Sequence, residues 1–205
     1  MRASLRVVLG LTGVPKSGQE GAAMLVSPEI AFAYIDANYV RSELAKAGQP
    51  EYFNPYYLRR YLQTATVDGR PISADRFFFY DAIDEDADPA QRSLRQEYLQ
   101  KVEELPFTSV VTGFVRPGKK KRRQQKAVEV QIAVDALEAA WSGRTRAVIL
   151  VAGDADFCPL ADAVRRTGAF FFAFGYQNSM SSELRHSADY AGFLPDPAEG
   201  LFKPF

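Results

Sequence analysis

The chain has 205 residues with 25 basic and 25 acidic side chains, so no net field draws it to nucleic acid or membranes, and any attraction to phosphate must come from local clustering. Hydrophobic residues make up 47% and charged residues 24%, a balance that excludes a disordered or fibrous chain and suits one domain with a packed core. A single cysteine, Cys158, and a single histidine, His186, exclude an internal disulfide and a Cys/His zinc site, so a metal here would be oxygen-ligated.

Residues 1–28 begin with a basic start and a short apolar run broken by glycines and a proline, with no clear cleavage site. They read as a loosely ordered arm, and Met24 is a candidate start. No apolar run approaches the roughly 20 residues that span a bilayer, which leads us to expect a soluble, cytoplasmic protein with no membrane partner. A homodimer is compatible with the sequence.

Five short runs rich in aromatic and β-branched residues follow: Ile30 to Ile35, Arg76 to Tyr80, Ser109 to Val115, Ala147 to Ala152 and Ala169 to Phe174. Continuous apolar runs fit strands covered on both faces. Helical spacing fills the intervals: after Asp36, over Asn54 to Gln63, from Asp88 to Glu104 with Pro89 in the first turn, from about Gln125 to Trp141, after Asp156, and over Ser181 to Ser187. The alternation predicts an α/β fold, a three-layer α/β/α sandwich around a mainly parallel sheet of five or six strands. The domain is expected over 29–195, with 196–205 as a C-terminal tail.

The first strand ends in Asp36, and the fourth runs into AGDADF, which places Asp154 and Asp156 at its carboxyl edge. Ligands of open α/β sheets bind at this edge, where strand order reverses. If these two strands are neighbours, three carboxylates converge, and a divalent cation is the usual means of keeping them ionised together. Plain helix capping competes as an explanation for Asp36 and Asp156, but it leaves Asp154 without a task. A fourth acid is expected from the helix containing QQKAVEVQIAVDALEAAW. Asp135 falls within the apolar stripe of Val128, Ile132 and Ala139, so it points inward and should meet a metal, a lysine or a set of donors. Glu129 lies on a neighbouring face, and spacing alone does not choose between them.

These pieces, taken together, resemble the NYN (LabA-like) domain of the PIN-like nuclease superfamily. YIDANY at the first strand, FYDA in the second, QKAVEVQIAVDAL, the AVILVAGDADFCPLADAVRRTG block and the closing SSELRHSADYAGFL run in the family's order. The resemblance implies a metal-dependent endoribonuclease acting on RNA, with Asp36, Asp154 and Asp156 matching the family's metal-binding aspartates and Mg2+ or Mn2+ as cofactor. Glu129 stands where the family usually has aspartate, and Asn38 comes one residue earlier than the commoner spacing.

The run GKKKRRQQK places Lys119, Lys120, Lys121, Arg122 and Arg123 in the expected loop between the third strand and the acidic helix, at the same edge as the aspartates. Such clusters bind phosphate backbones with little sequence information, so these five are candidate nucleic-acid contacts. Lys126, nearest the helix, is a candidate to touch substrate phosphate or pair with an acid. The aromatic group around Tyr52 to Tyr61 suits either base stacking or core packing. A non-catalytic RNA-binding or protein-interaction domain of the same fold is the main rival, and a phosphatase reading of DADFC is a weaker one.

Overall fold

In the computed structural model, which describes residues 30–67, 70–83, 87–114, 121–199 and 203–205, strand β1 (Ile30–Asp36) is buried from Ala31 to its end. Its side chains alternate between two cores. Ala31, Ala33 and Ile35 pack with Val40, Leu44, Leu58 and Leu99 on one side of the sheet, while Phe32 and Tyr34 meet Ile132, Leu160 and Leu184 on the other. A strand with both faces covered must be apolar at nearly every position, which is why its run is continuous. The expected arm at 1–28 lies outside the described residues.

The chain continues through α1 (Ala37–Lys46) and α2 (Pro55–Thr64), a small antiparallel pair, β2 (Thr66–Val67) with β3 (Arg70–Pro71), and then β4 (Ser73–Ile83). After these come α3 (Pro89–Glu103), β5 (Thr108–Phe114), α4 (Lys121–Trp141), β6 (Ala147–Val151), α5 (Cys158–Arg166), β7 (Phe170–Gly175), α6 (Ser182–Ser187) and β8 (Tyr190–Phe193). The main sheet has six strands in the order β5-β4-β1-β6-β7-β8, and every neighbouring pair is parallel. It is a three-layer α/β/α sandwich. Helices α1, α2 and α3 cover one face, and α4, α5 and α6 cover the other.

The order reverses between β1 and β6, which pair directly with Ile35 opposite Val151. Chain direction out of β1 goes to α1 on one face, whereas β6 leads to α5 on the other, and a crevice is left between their ends. Because all six strands run the same way, the carboxyl ends of β1, β4, β5 and β6 share this edge.

The short β8, from a run interrupted by Gly192, supplies the sixth strand of the five or six expected. Two features differ from the sequence expectation. β4 extends well before Arg76, its register with β1 shifting between Ala31 and Phe32. Helix α4 begins at Lys121 rather than near Gln125, so Lys121, Arg122 and Arg123 belong to its first turn and not to a loop; Lys, Arg and Gln are all good helix formers. At the other end of the chain, Lys203 O accepts from Asn54 N at 2.8 Å and Phe205 packs edge-on against Tyr98.

Candidate metal centre and adjoining cleft

After β6 the chain passes close against α1 and the loop after β7, and Gly153 makes that approach possible. A Cβ at this position would stand 2.5 Å from Tyr39 Cε2 and 2.7 Å from Ser179 O, so only glycine admits the Tyr39 ring. Tyr39 OH accepts from Tyr176 N at 2.8 Å and shares a hydrogen bond of 2.9 Å with Ser179 Oγ. This one phenol therefore ties the start of α1 to the loops after β6 and β7. Beyond Gly153, Asp154 caps a single 3-10 turn, Ala155–Phe157, its Oδ1 accepting from Asp156 N at 2.9 Å. Capping, expected of Asp156, thus falls to Asp154, and the turn presents both carboxylates at the surface.

Glu129 comes from α4, which packs across the same edge. It is 8% exposed, one residue after the core side chain Val128. One carboxylate oxygen from each of Glu129, Asp154 and Asp156 lies within 4.8 Å of the others. Oxygen-only donors at this spacing have the chemistry to hold a hard divalent cation. The helix acid of the group is Glu129, not Asp135. Asp135 instead accepts from Tyr80 OH and Gln131 Nε2, each at 2.8 Å, so its inward direction is met by a set of donors. Burial and the bond to Asp135 both raise the Tyr80 phenol.

Asp36 ends β1 beside this group but is not one of the three. Its Oδ1 accepts from Tyr39 N at 3.0 Å and caps α1. Only 3% exposed, it is pushed up from the ordinary 3.8 to about 6, first by burial and then by the Asp81 carboxylate, against the pull of the Tyr39 N–H. Asn38, half-buried, accepts from Arg41 Nη2 at 3.3 Å, so it serves the arginine. Of the basic run, Lys119 and Lys120 lie outside the described residues, as do the side chains of Lys121, Arg122, Arg123 and Lys126.

Sequence reasoning passed over Asp81, Arg41 and Arg95. Asp81, fully buried on β4, bridges Arg41 of α1 at 3.4 Å and Arg95 of α3 at 2.5 Å. Burial pushes its carboxyl up to about 6 against Arg41. The signal was present as an acid inside the otherwise apolar run RFFFYDAI. These groups line a cavity of about 950 Å³ whose walls also include Asp36 and Val128.

The NYN domain family model matches residues 31–195, the whole sheet with its helices. The chain belongs to the NYN family of PIN-like nuclease domains. No curated protein matches it. A crystal structure of a protein of unknown function from Vibrio parahaemolyticus is similar to this NYN domain at 21% identity and a TM-score of 0.57, covering 85% of this chain and 98% of that one, a likeness that shows the common fold. Among the described residues of the NYN domain no helix is long and apolar enough to cross a membrane.

Proposed function

We infer that this NYN domain is a divalent-metal-dependent endoribonuclease whose Mg2+ or Mn2+ is held by Glu129, Asp154 and Asp156. The observation that carries the reading is the meeting of these three carboxylates, from α4 and the β6 turn, at the crevice where strand order reverses. Such an ion, when bound, supplies a polarised water and charge stabilisation at a phosphate. The chain's own residues do the rest. Glu129, held in the α4 packing, and the Asp154 turn fix the ligand positions, while Asp36, on the neighbouring strand end, lines the adjoining cavity. With a pKa of about 6, Asp36 is a group that can accept a proton from an attacking water near neutral pH.

The first turn of α4 supports RNA as the polyanion. Lys121, Arg122 and Arg123 sit there with no acid among them, an arrangement the helix dipole disfavours by a few tenths to about 1 kcal/mol per charge in a free helix. Phosphates drawn to that turn would offset the cost, and Lys119 and Lys120 precede it in sequence.

The test is incubation of purified protein with single-stranded and structured RNA, with and without Mn2+, beside Asp154→Asn and Asp36→Asn. Mn2+-dependent cleavage lost in both variants is expected. Cleavage that persists in Asp154→Asn overturns the assignment. One observation favours a second reading, an RNA-binding domain without catalysis: Asp36 is committed to capping α1. That reading predicts RNA binding with no metal-dependent cutting.

A further inference from the structure

The cavity beside Asp36 is larger than a metal centre requires, and its lining differs in kind. Its volume of about 950 Å³ falls at the upper end of the roughly 300 to 1,000 Å³ typical of sites for organic ligands. Arg41, Arg92 and Arg95 all line it. Arg41 and Arg95 share the carboxylate of Asp81, and Asp36 and Glu51 are further acids of the lining, so it is unmatched donors rather than a net charge that suit an anion here. The buried Nε atoms of Arg92 and Arg95 have no hydrogen-bond partner among the described residues. A guanidinium donor left unmatched in a partly buried place costs about 1–3 kcal/mol, and a phosphate offers oxygens in the paired geometry that arginine matches.

The remaining walls suit the rest of a nucleotide. The Tyr52 ring lines the cavity and is backed by Tyr98, with centroids 5.0 Å apart at 48°, a braced aromatic of the kind on which bases stack. Leu94, 55% exposed, adds apolar surface on the same helix as Arg92. Asp36 and Val128 line the cavity, and Val128 immediately precedes Glu129 in α4, so its occupant would lie on the side of the sheet edge that adjoins the carboxylate group.

We propose that this cleft between α1 and α3 is a nucleotide subsite for the RNA strand, with Arg92 and Arg95 on the phosphate adjoining the scissile one and Tyr52 against the base. The assignment rests on the nuclease reading for its placement beside a cut bond. It gives α1 and α3 the task of orienting the strand, separate from the metal ligands of α4 and the β6 turn.

The test uses the full chain in EDTA with a short fluorescein-labelled single-stranded oligoribonucleotide, and 5′-AMP as a competitor. Arg92→Gln should weaken oligonucleotide binding about tenfold and lower the salt slope by about one. Tyr52→Leu should weaken binding with the slope unchanged. Both should keep the wild-type rise in Tm with Mn2+. Leu94→Glu, at an exposed position, repeats the test by repulsion should the first two disturb α3. Wild-type binding in all three variants, with Mn2+-dependent cleavage intact, overturns the subsite and leaves the metal centre standing. Binding lost in the variants while the wild type never cuts RNA overturns instead the nuclease reading and the placement beside a scissile bond. Capture of 5′-AMP as tight as that of the oligonucleotide replaces the strand with a free nucleotide.

Discussion

Asp36→Asn should make the metal-free protein more stable while abolishing metal-dependent cleavage. Asparagine keeps the α1 cap, since its side-chain oxygen accepts the Tyr39 N–H as aspartate does, and it removes the buried charge. The magnitude follows from the shift of Asp36 from 3.8 to about 6, which at 1.36 kcal/mol per unit gives about 3 kcal/mol above pH 7. The sign is fixed by linkage. A carboxylate whose pKa is raised on folding binds its proton more tightly in the native state, so the wild type loses stability as pH climbs from about 4 to above 6. The variant's advantage should be about 3 kcal/mol at pH 7.5, about half that at pH 5 and little below pH 4. For a domain of this size that is roughly 6 to 12 °C in Tm at the higher pH. Urea denaturation in EDTA across this range measures it. A variant no more stable than wild type at pH 7.5, or an advantage that does not shrink on acidification, would refute the claim that Asp36 is held ionised at a cost.

Glu129→Gln should abolish the stabilisation by Mn2+ seen in thermal shift, whereas Asp135→Asn should leave it intact; the reverse pattern would move the helix ligand to Asp135. Gly153→Ala should cost about 1–3 kcal/mol in urea denaturation, because the added methyl meets the Tyr39 ring and a carbonyl oxygen. The same variant should lower Mn2+ affinity through displacement of the Asp154 turn, and unchanged stability would mean that Tyr39 gives way.

Asp154 and Asp156 were legible because apolar runs that end in acids mark strand termini; that β1 lies beside β6 was only a condition of that reading, and the strand order meets it. The choice between Glu129 and Asp135 was not legible, for a geometric reason. Both flank the buried stripe of Val128, Ile132, Ala136 and Ala139, on opposite edges, and the way α4 lies across the sheet decides which edge faces the crevice. One edge meets Asp154; the other meets Tyr80. The Asp81 pairing was hidden because Arg41 and Arg95 lie on helices that no periodicity connects to β4. The start of α4 was misplaced because a run of Lys, Arg and Gln reads equally as a basic loop or a helical turn.

Metal binding and stability are therefore coupled through the same few atoms. Three carboxylates gather at the reversal point because β6 ends there and α4 crosses it, with Asp36 at the neighbouring end of β1, and the burial of the Asp36 charge weakens the metal-free fold. An ion present at about 100 times its dissociation constant returns about 2.7 kcal/mol, close to what the buried Asp36 charge costs. Since a cation beside Asp36 also favours its ionised form, bound metal should flatten the fall in stability with rising pH as well as raise the Tm. That pH profile depends on no RNA, so it reports on the carboxylate site even where the strand that the cleft accepts is still to be identified.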